Sequence, residues 1–447
     1  MTKNSVVVLG AGESGAGAAI LAKTRGIPVF VSDKGMIKTE YRNVLSQYEI
    51  DFEEGKHSFS KLLKADEVVK SPGIPDKIPL LGAFREKGTP IISEIEFASR
   101  FCDAFKICIT GSNGKTTTTL LTWHILKNAG LNVGLAGNVG KSFALQVALE
   151  KHDYYVLEIS SFQLDGMFSF KADIAVLLNI TPDHLDRYDM DFSKYAGSKF
   201  RIIQNQTSAD AFVYCADDPA INSGIKHRTI AARRFPFTTT TVLKADGAYL
   251  DDQEMVIQTN ANSLRMTIEQ LALQGRHNVY NSMAAGISSQ LIGLRKETIR
   301  QRLSDFQQVE HRLEHVANVH GIEFINDSKA TNINSTWWAL ETVAKPVIWI
   351  AGGVDKGNDY SALTHLVKTK VKAIICLGID NSNIYKAFAD LVPTVFETRS
   401  AAEAVNMAYL LGEKGDTVLL SPACASFDLF ENFEDRGNQF KQAVNQL

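Results

Sequence analysis

Several features that define other classes of protein are scarce in this chain of 447 residues. Its five cysteines are far apart and include no C-x-x-C pair, which argues against a disulfide framework or a zinc site. The chain contains no apolar run of the ~18 residues that a membrane helix needs. Its first residues lack the basic and apolar regions of a signal peptide. We therefore expect a cytoplasmic protein that is neither exported nor embedded in a membrane.

Excess charge of either sign is also missing. The formal net charge is -3, and no long basic run occurs. Such a chain lacks the electrostatic footprint for nucleic acid or an anionic membrane, so neither is an expected partner. Hydrophobic residues make up 45% of the sequence, enough to bury sizeable cores, and the length predicts two to four domains.

Short β-branched runs alternate with helical patterns along the chain, which is typical of parallel sheets with crossover helices. Three blocks are visible, and we place their boundaries near 97 and 307. The prediction is an α/β protein of three domains, 1–97, 98–307 and 308–447, each built around a mostly parallel sheet. The first and third are expected to be Rossmann-like, and the second to resemble a P-loop ATPase.

The first block contains a G-x-G-x-x-G turn formed by Gly10, Gly12 and Gly15, with Asp33 at the end of the next strand. This pattern lets backbone approach a pyrophosphate while the acid binds a ribose. A nicotinamide dehydrogenase is one interpretation, and a tight turn that needs small residues is another. Because a helix N-terminus favours any anion, the motif indicates a diphosphate more firmly than NAD.

The second block contains "TGSNGKTT", residues 110–117, at the end of its first predicted strand. A Walker A loop would carry its first glycine at 109, where this chain has Ile109, so the loop is shortened. Its context is a strand ending at Thr110 and a helix opening at Lys115, which suits a loop that holds ATP phosphates. The alternatives are a glycine turn with a chance lysine, or an ATPase or switch protein that binds partners.

Two further polar residues stand at predicted strand ends near this loop. Glu158 ends the strand in "YYVLEISSFQL", and His184 follows the strand in "AVLLNITPDHLDRYD". Ligands for an oxygen-preferring cation often occupy such positions beside a phosphate loop. Taken alone, His184 is more typical of a capping or surface histidine.

Seven motifs occur together and in order along the chain: "TGSNGKTT", "EISSFQL", "NITPDHLDRYD", "GRHNVYNSMAA", "HRLE", "NDSKATN" and "SPACASFDLFENFEDRGNQF". With them the chain resembles the Mur ligases over essentially its full length, in particular those that add D-glutamate. The resemblance implies an ATP-dependent ligase of peptidoglycan precursor synthesis that works as a monomer. Its substrates would be ATP, UDP-N-acetylmuramoyl-L-alanine and D-glutamate, joined through an acyl phosphate.

The resemblance also implies roles for individual residues around ATP. Lys115, Lys199 and His184 would be catalytic, and two Mg²⁺ ions would be held by Thr116 and Glu158 and by His184 and a carbamylated Lys199. Without the resemblance, Lys199 would be assigned to the surface of a helix. The ATP-binding residues would be Gly111, Ser112, Asn113, Gly114, Lys115, Thr116, Thr117, Asn278, Asn281, Arg312 and Asp327. Arg312 is otherwise an ordinary surface arginine.

The other two substrates are assigned in the same way. The residues expected around D-glutamate are Lys329, Thr331, Lys356, Ser426 and Phe433. Those expected around the UDP substrate are Glu13, Ser14, Asp33, Ser71, Asn138 and Gln163. Some relatives carry an arginine shortly after the acid at the strand end, where this chain has "DKGM"; Lys34 lacks the planar fork of arginine.

Two observations favour D-glutamate as the amino acid. The D-N-P-R signature of the diaminopimelate and lysine ligases is absent from the sequence. Folylpolyglutamate synthase shares the loop and the ligation, but the diphosphate turn of the first block would have no purpose there.

Overall fold

The protein is described by a computed structural model that covers residues 5–260, 262–306, 310–343 and 346–447. Its strands form three separate sheets, each mostly parallel, as the sequence predicted. Residues 1–182 and 187–306 form one compact unit, and residues 183–186 and 307–447 form a second. The predicted boundary at 97 remains a prediction, and that at 307 falls outside the described residues.

The first sheet is entirely parallel and has the order β3-β2-β1-β4-β5. Its strands are β1 (Val6–Leu9), β2 (Val29–Ser32), β3 (Asp51–Glu53), β4 (Glu67–Lys70) and β5 (Ile91–Ile92). Its helices are α1 (Glu13–Thr24), α2 (Thr39–Gln47), α3 (Phe59–Leu62), α4 (Pro79–Lys87) and α5 (Glu94–Ser99). All four residues of β1 are buried, which explains its uninterrupted apolar sequence.

The second sheet has nine strands in the order β14-β13-β12-β11-β10-β9-β6-β8-β7. Its strands are β6 (Phe105–Thr110), β7 (Val133–Gly137), β8 (Tyr154–Glu158), β9 (Ile174–Leu177), β10 (Ala211–Cys215), β11 (Arg233–Thr238), β12 (Gly247–Asp251), β13 (Glu254–Thr259) and β14 (Asn262–Thr267). Its helices are α6 (Lys115–Asn128), α7 (Phe143–Leu149), α8 (Ser161–Asp165), α9 (Phe192–Phe200), α10 (Pro219–Lys226), α11 (Arg276–Leu291) and α12 (Lys296–Ser304), with 3₁₀ turns at Leu185–Tyr188, Arg201–Ile203 and Ile268–Gln270. Among the described strands of this sheet, β12 and β14 pair antiparallel with β13, and the other neighbouring strands pair parallel.

The third sheet has the order β15-β16-β20-β17-β18-β19. Its strands are β15 (Glu314–Val319), β16 (Ile322–Asn326), β17 (Val347–Ala351), β18 (Val371–Leu377), β19 (Val395–Thr398) and β20 (Thr417–Leu420). Its helices are α13 (Ile333–Thr342), α14 (Thr364–Lys370), α15 (Ser382–Phe388), α16 (Ala401–Leu411) and α17 (Phe433–Val444), with a 3₁₀ turn at Tyr360–Leu363. The sequence predicted the four central strands and missed the two edge strands, which are partly exposed and therefore less apolar.

Two glutamates of α5 join the first sheet to the second within the first compact unit. Glu94 Oε1 accepts hydrogen bonds from Ser142 Oγ and Ala144 N, both at 2.6 Å. Glu96 accepts from the backbone amides of Phe168 and Phe170, at 3.1 and 2.8 Å. Burial raises the pKa of Glu94 to about 7. These buried acceptors tie the two sheets together.

Among the described residues, no helix combines the length and the apolar character needed to cross a bilayer. The five cysteines are free thiols, and four of them are buried.

Candidate active site

The shortened glycine loop connects β6 to α6 at the carboxyl end of the second sheet. The hydroxyl of Thr110 donates to the carbonyl of Ile159 at 2.7 Å, which fixes the end of β6 to the segment after β8. Gly114 has φ of +80°, and a Cβ there would lie 2.5 Å from Asn281 Oδ1. The loop therefore requires glycine at 114 for both backbone conformation and space.

Two lysines meet at one carbonyl of this loop. Lys115 Nζ donates to the carbonyls of Gly111 and Ser112, at 2.8 and 2.7 Å. Lys199, on α9, is 2% exposed, and its Nζ donates to the carbonyl of Gly111 at 2.8 Å and to Thr110 Oγ1 at 3.3 Å. The structure thus brings the predicted phosphate-binding lysine and the predicted carbamylated lysine together.

Several hydrogen bonds that support the loop were not predicted from the sequence. Asn179 Oδ1 accepts from Asn113 N at 2.8 Å, and the Ser112 hydroxyl donates to the carbonyl of Thr181 at 2.8 Å. The hydroxyl of Tyr195 lies 2.9 Å from that of Ser112. Tyr195 precedes Lys199 by one helical turn, so the spacing on α9 was the available signal.

Glu158 ends β8, one strand away from the loop, as the sequence predicted. Its Oε1 accepts from Asn138 Nδ2 at 2.7 Å, and the backbone N–H of Asn138 donates to its carbonyl at 2.8 Å. Glu158 Oε2 is buried without a hydrogen-bond partner. A buried carboxylate oxygen in that state fits a ligand for a hard cation such as Mg²⁺.

Within the described ranges, no group of three His, Cys, Asp or Glu side chains is arranged to hold a metal ion. The predicted magnesium ligands do not depend on such a group, since they include the Thr116 hydroxyl and a carbamate on Lys199. The Thr116 side chain is 3% exposed at the start of α6.

The two asparagines predicted to bind the adenine side of ATP lie at the start of α11. Asn281 Oδ1 accepts from Thr118 Oγ1 at 3.1 Å, so this residue packs directly against α6 and the loop. Asn278 Oδ1 accepts from Asn281 Nδ2 at 3.0 Å, and Asn278 Nδ2 donates to the carbonyl of Gln274 at 2.8 Å. The pair is therefore joined to the phosphate loop through Asn281.

The residues predicted to bind the UDP moiety lie at the carboxyl end of the first sheet. Asp33 accepts from the amides of Ala11 and Gly35, at 2.7 and 2.8 Å, so it shapes the glycine turn. The Ser71 hydroxyl donates to the carbonyl of Gly10 at 3.3 Å. A Cβ on Gly15 would lie 1.8 Å from that same carbonyl oxygen, which explains the glycine there.

Of the remaining residues of this group, Glu13 and Ser14 lie on α1, which follows the turn, and Gln163 lies on α8, a helix of the second sheet. Glu13 Oε1 accepts from Ser142 N at 3.0 Å, and Ser14 is half-buried in the first turn of α1. Gln163 Oε1 accepts from the backbone N–H and the hydroxyl of Ser160, both at 2.9 Å, and so caps α8. Lys34, the residue in place of a family arginine, is exposed after β2.

In the second compact unit, the predicted ATP residues Arg312 and Asp327 lie beside each other. Asp327 is 2% exposed and accepts from Leu313 N at 3.2 Å and from Ser421 Oγ at 2.9 Å. Burial raises its pKa to about 7, and the positive charge of Arg312 opposes that effect.

The residues predicted to bind D-glutamate fall partly together in this unit. Lys329 Nζ lies 4.8 Å from the centre of the Phe433 ring, and Thr331 N donates to the carbonyl of Lys329 at 2.9 Å. Ser426 is buried after β20, where its carbonyl accepts from Phe430 N.

Lys356 and His184 are neighbours within the second unit, although the resemblance implies different roles for them. Lys356 Nζ lies 3.5 Å from His184 Nδ1. His184 has φ of +54°, a conformation that is uncommon for histidine. Its carboxylate neighbour Asp183 accepts from Asn332 Nδ2 at 3.3 Å.

Arg436 lies within the last of the seven motifs, but no function was predicted for it. Its guanidinium is almost fully buried and donates to the hydroxyl and the carbonyl of Ser328, at 3.0 and 2.8 Å, and to the carbonyls of Gly352 and Cys424. Burial lowers its pKa to about 10. Arg436 fixes three loops at the carboxyl end of the third sheet, and its place in "FEDRGNQF" was the only signal.

The three sheets and the phosphate loop define a class of ATP-dependent ligase, and the comparisons with known proteins agree. Sequence profiles match the MurD N-terminal domain at residues 5–78, the Mur ligase middle domain at 109–288 and the Mur ligase glutamate ligase domain at 311–424. The chain is 58% identical over 445 residues to the UDP-N-acetylmuramoylalanine–D-glutamate ligase of Bacteroides fragilis, and 54% identical over 442 residues to that of Christiangramia forsetii. Each alignment covers 99% of both chains.

Solved structures show the same fold at low sequence identity. The UDP-N-acetylmuramate-alanine ligase MurC of Thermotoga maritima has a TM-score of 0.63 at 17% identity, over 99% of both chains. A pseudomurein peptide ligase type C of Methanothermus fervidus has a TM-score of 0.62 at 20% identity, over 99% of this chain and 100% of the other. The chain belongs to the Mur ligase family, on the branch of the UDP-N-acetylmuramoylalanine–D-glutamate ligases.

Proposed function

We propose that this protein joins D-glutamate to UDP-N-acetylmuramoyl-L-alanine at the expense of ATP, in peptidoglycan precursor synthesis. The full-length similarity to ligases named for this reaction supports the choice of substrates. The observation that carries the proposal is the convergence of Lys115 and Lys199 on the carbonyl of Gly111, one strand away from the buried carboxylate of Glu158. Phosphoryl transfer to a carboxylate needs this concentration of charge.

The reaction activates a carboxylate, which is a poor electrophile. The γ-phosphoryl group of ATP passes to the carboxylate oxygen of the alanine residue, and ADP leaves. The amine of D-glutamate then attacks the acyl carbon, loses a proton and expels inorganic phosphate through a tetrahedral intermediate. Lys115 balances charge on the transferred phosphoryl group, which is the main contribution a protein makes to such a step.

Two Mg²⁺ ions are proposed as cofactors, with Thr116 and Glu158 for the first and His184 and a carbamylated Lys199 for the second. Bound ions would neutralise charge on the phosphates. The unpartnered Glu158 Oε2 supports the first of these assignments. Arg312, Asp327, Asn278 and Asn281 complete the proposed nucleotide contacts.

For the amino acid, the proposal assigns Lys329, Thr331, Lys356, Ser426 and Phe433. A dianionic amino acid requires cations and hydroxyl donors, and this set supplies both. For the acceptor it assigns Glu13, Ser14, Asp33, Ser71, Asn138 and Gln163. We further propose that the protein acts as a monomer in the cytoplasm, without a nucleic-acid or membrane partner.

Phosphate release from ATP tests the proposal when the acceptor and D-glutamate are supplied together and separately. We expect release only when both are present, with a product heavier than the acceptor by one glutamyl residue. Competition between isotopically labelled D-glutamate and unlabelled L-glutamate, read by mass spectrometry, should give only the labelled product. Equal incorporation of L-glutamate, or steady release without acceptor, would contradict the assignment.

A further inference from the structure

A cavity of about 500 Å³ lies within the first compact unit, between the edge strand β5 and helix α8. It is lined by residues of the first and second sheets, and none of them has a role in the proposed reaction. Its volume is within the range of small-molecule sites, which run from roughly 300 to 1,000 Å³. Its charged lining consists of Lys70, Arg85, Arg187, Lys194, Asp76 and Asp165.

The charges of this lining do not balance. Four cations face two carboxylates, so the cavity carries an excess of two positive charges. Outside the lining, Asp189 lies within ion-pair distance of both Lys77 and the lining residue Lys194. Including Lys77 and Asp189 adds one charge of each sign and leaves the excess unchanged. A ligand that complements the cavity is therefore a dianion.

On the side of the first sheet, the partly exposed carboxylate of Asp76 lies near two cations, Lys70 and Arg85. Lys70 Nζ lies 3.0 Å from Asp76 Oδ1, and the Lys70 side chain is only 9% exposed. Arg85 donates to the Asp76 carbonyl at 2.8 Å, and its guanidinium lies 3.6 Å from the same carboxylate. The Asp76 side chain is 48% exposed. The cation pair is thus held in place with room for a second anion.

On the side of the second sheet, two aromatic rings of the lining lie next to Arg187. The guanidinium of Arg187 stacks 4.4 Å from the centre of the Phe162 ring, and the Tyr188 ring lies parallel to Phe162 at 6.2 Å. Arg187 also donates to the carbonyl of Ile74 at 3.2 Å. Stacked arginine and aromatic faces accept a planar ring.

We propose that this cavity binds a small molecule that combines a phosphomonoester dianion with an aromatic ring. Lys70, Arg85 and Arg187 bind the phosphate, and Phe162 and Tyr188 contact the ring. The cavity is distinct from the turn proposed for the UDP diphosphate, because Ser71 directs its hydroxyl to Gly10 whereas Lys70 contacts Asp76 and Ile74.

Phenyl phosphate is the probe for this site, and titration calorimetry of the full chain measures its binding. We expect one site per chain, at least ten-fold weaker binding of phenyl sulfate, which carries a single charge, and no detectable binding of phenol. Arg85→Ala and Lys70→Met should each weaken phenyl phosphate at least ten-fold. Lys87→Ala, on the same helix as Arg85 but outside the cavity, should leave it unchanged.

Saturating acceptor and ATP analogue should not displace phenyl phosphate. Thermal melting identifies any variant that fails to fold, and Arg85 is exposed enough for its replacement to preserve the fold. The proposal is overturned if millimolar phenyl phosphate does not bind, if Arg85→Ala binds it as tightly as the parent, or if the acceptor displaces it. Because binding is measured without turnover, these outcomes are independent of the ligase reaction.

Discussion

Lys115 and Lys199 come from different helices, yet both donate a hydrogen bond of 2.8 Å to the carbonyl oxygen of Gly111. Two ammonium groups so close together repel each other. Carbamylation of Lys199 replaces one of them with an anion and converts this repulsion into attraction. The pairing therefore gives a physical reason for the proposed modification, independent of any relative.

If Lys199 is carbamylated as proposed, removal of its side chain should abolish activity, and small carboxylates should restore part of it. We expect Lys199→Ala to lose at least 99% of turnover and to regain part of it with added acetate or formate, which can occupy the place of the carbamate. Lys226→Ala, an exposed lysine in the last turn of α10, should behave as the parent. The initial rate of Lys199→Ala, measured with and without roughly 100 mM acetate or formate, gives the extent of the rescue. A folded Lys199→Ala that no carboxylate rescues would show that carbamylation is the wrong account.

Lys115 should contribute to chemistry rather than to stability. Its ammonium donates to the carbonyls of Gly111 and Ser112 within its own loop, and we expect Lys115→Ala to leave the melting temperature nearly unchanged. Turnover should fall by about 10²–10³-fold, the usual effect of losing one donor to a charged transition state. Lys127→Ala, exposed in the last turn of the same helix, is the matched control. If Lys115→Ala turns over at the parent rate, this lysine has no part in phosphoryl transfer.

Much of the site was predictable because its parts are local. A strand, a glycine turn and a helix follow one another in sequence, so the phosphate loop and Glu158 could be placed at strand ends without knowledge of the sheet order. The buried central strands were equally clear, since burial on both faces leaves a continuous apolar run.

The contacts that were missed are long-range. Asn179 and Tyr195 support a loop that lies more than 60 residues earlier in the chain, and no local pattern marks them. Arg436 is buried among three loops, although arginine is ordinarily a surface residue. The edge strand β15 was missed because its side chains are partly exposed and mixed in polarity.

The glycine at 114 offers a test of the loop geometry itself. Gly114 and Gly130 have nearly the same φ, +80° and +85°, but a Cβ at 114 would lie 2.5 Å from Asn281 Oδ1, whereas one at 130 meets nothing within 4 Å. Both alanine variants carry a backbone strain of about 1–2 kcal/mol, because both positions are in the left-handed region. Only Gly114→Ala also displaces Asn281. We expect Gly130→Ala to keep its KM for ATP and Gly114→Ala to raise it at least ten-fold; equal KM values would show that the contact with Asn281 does not matter.

The buried carboxyl of Glu94 should make the stability of the first compact unit depend on pH. Its pKa is about 7 in the folded protein, raised by burial from an ordinary value of 4.5. Between these two values the folded state holds a proton that the unfolded state releases. The free energy of unfolding therefore falls as pH rises from about 4.5 to about 7, by on the order of 3 kcal/mol, and is constant above that range.

Glu94→Gln removes this titration while its amide oxygen can still accept from Ser142 Oγ and Ala144 N. Between pH 5 and pH 8, we expect the free energy of unfolding to fall more for the parent than for Glu94→Gln. The amide of glutamine does not ionise, so no buried charge forms in the variant as pH rises. Glu86→Gln, an exposed glutamate on α4, should retain the pH dependence of the parent. Urea denaturation at both pH values measures the free energy of unfolding. Subtracting the change found for Glu94→Gln from that of the parent removes the contribution of every other titrating group. Parallel pH profiles for the parent and Glu94→Gln would mean that the Glu94 carboxylate is already stabilised as an anion by its donors.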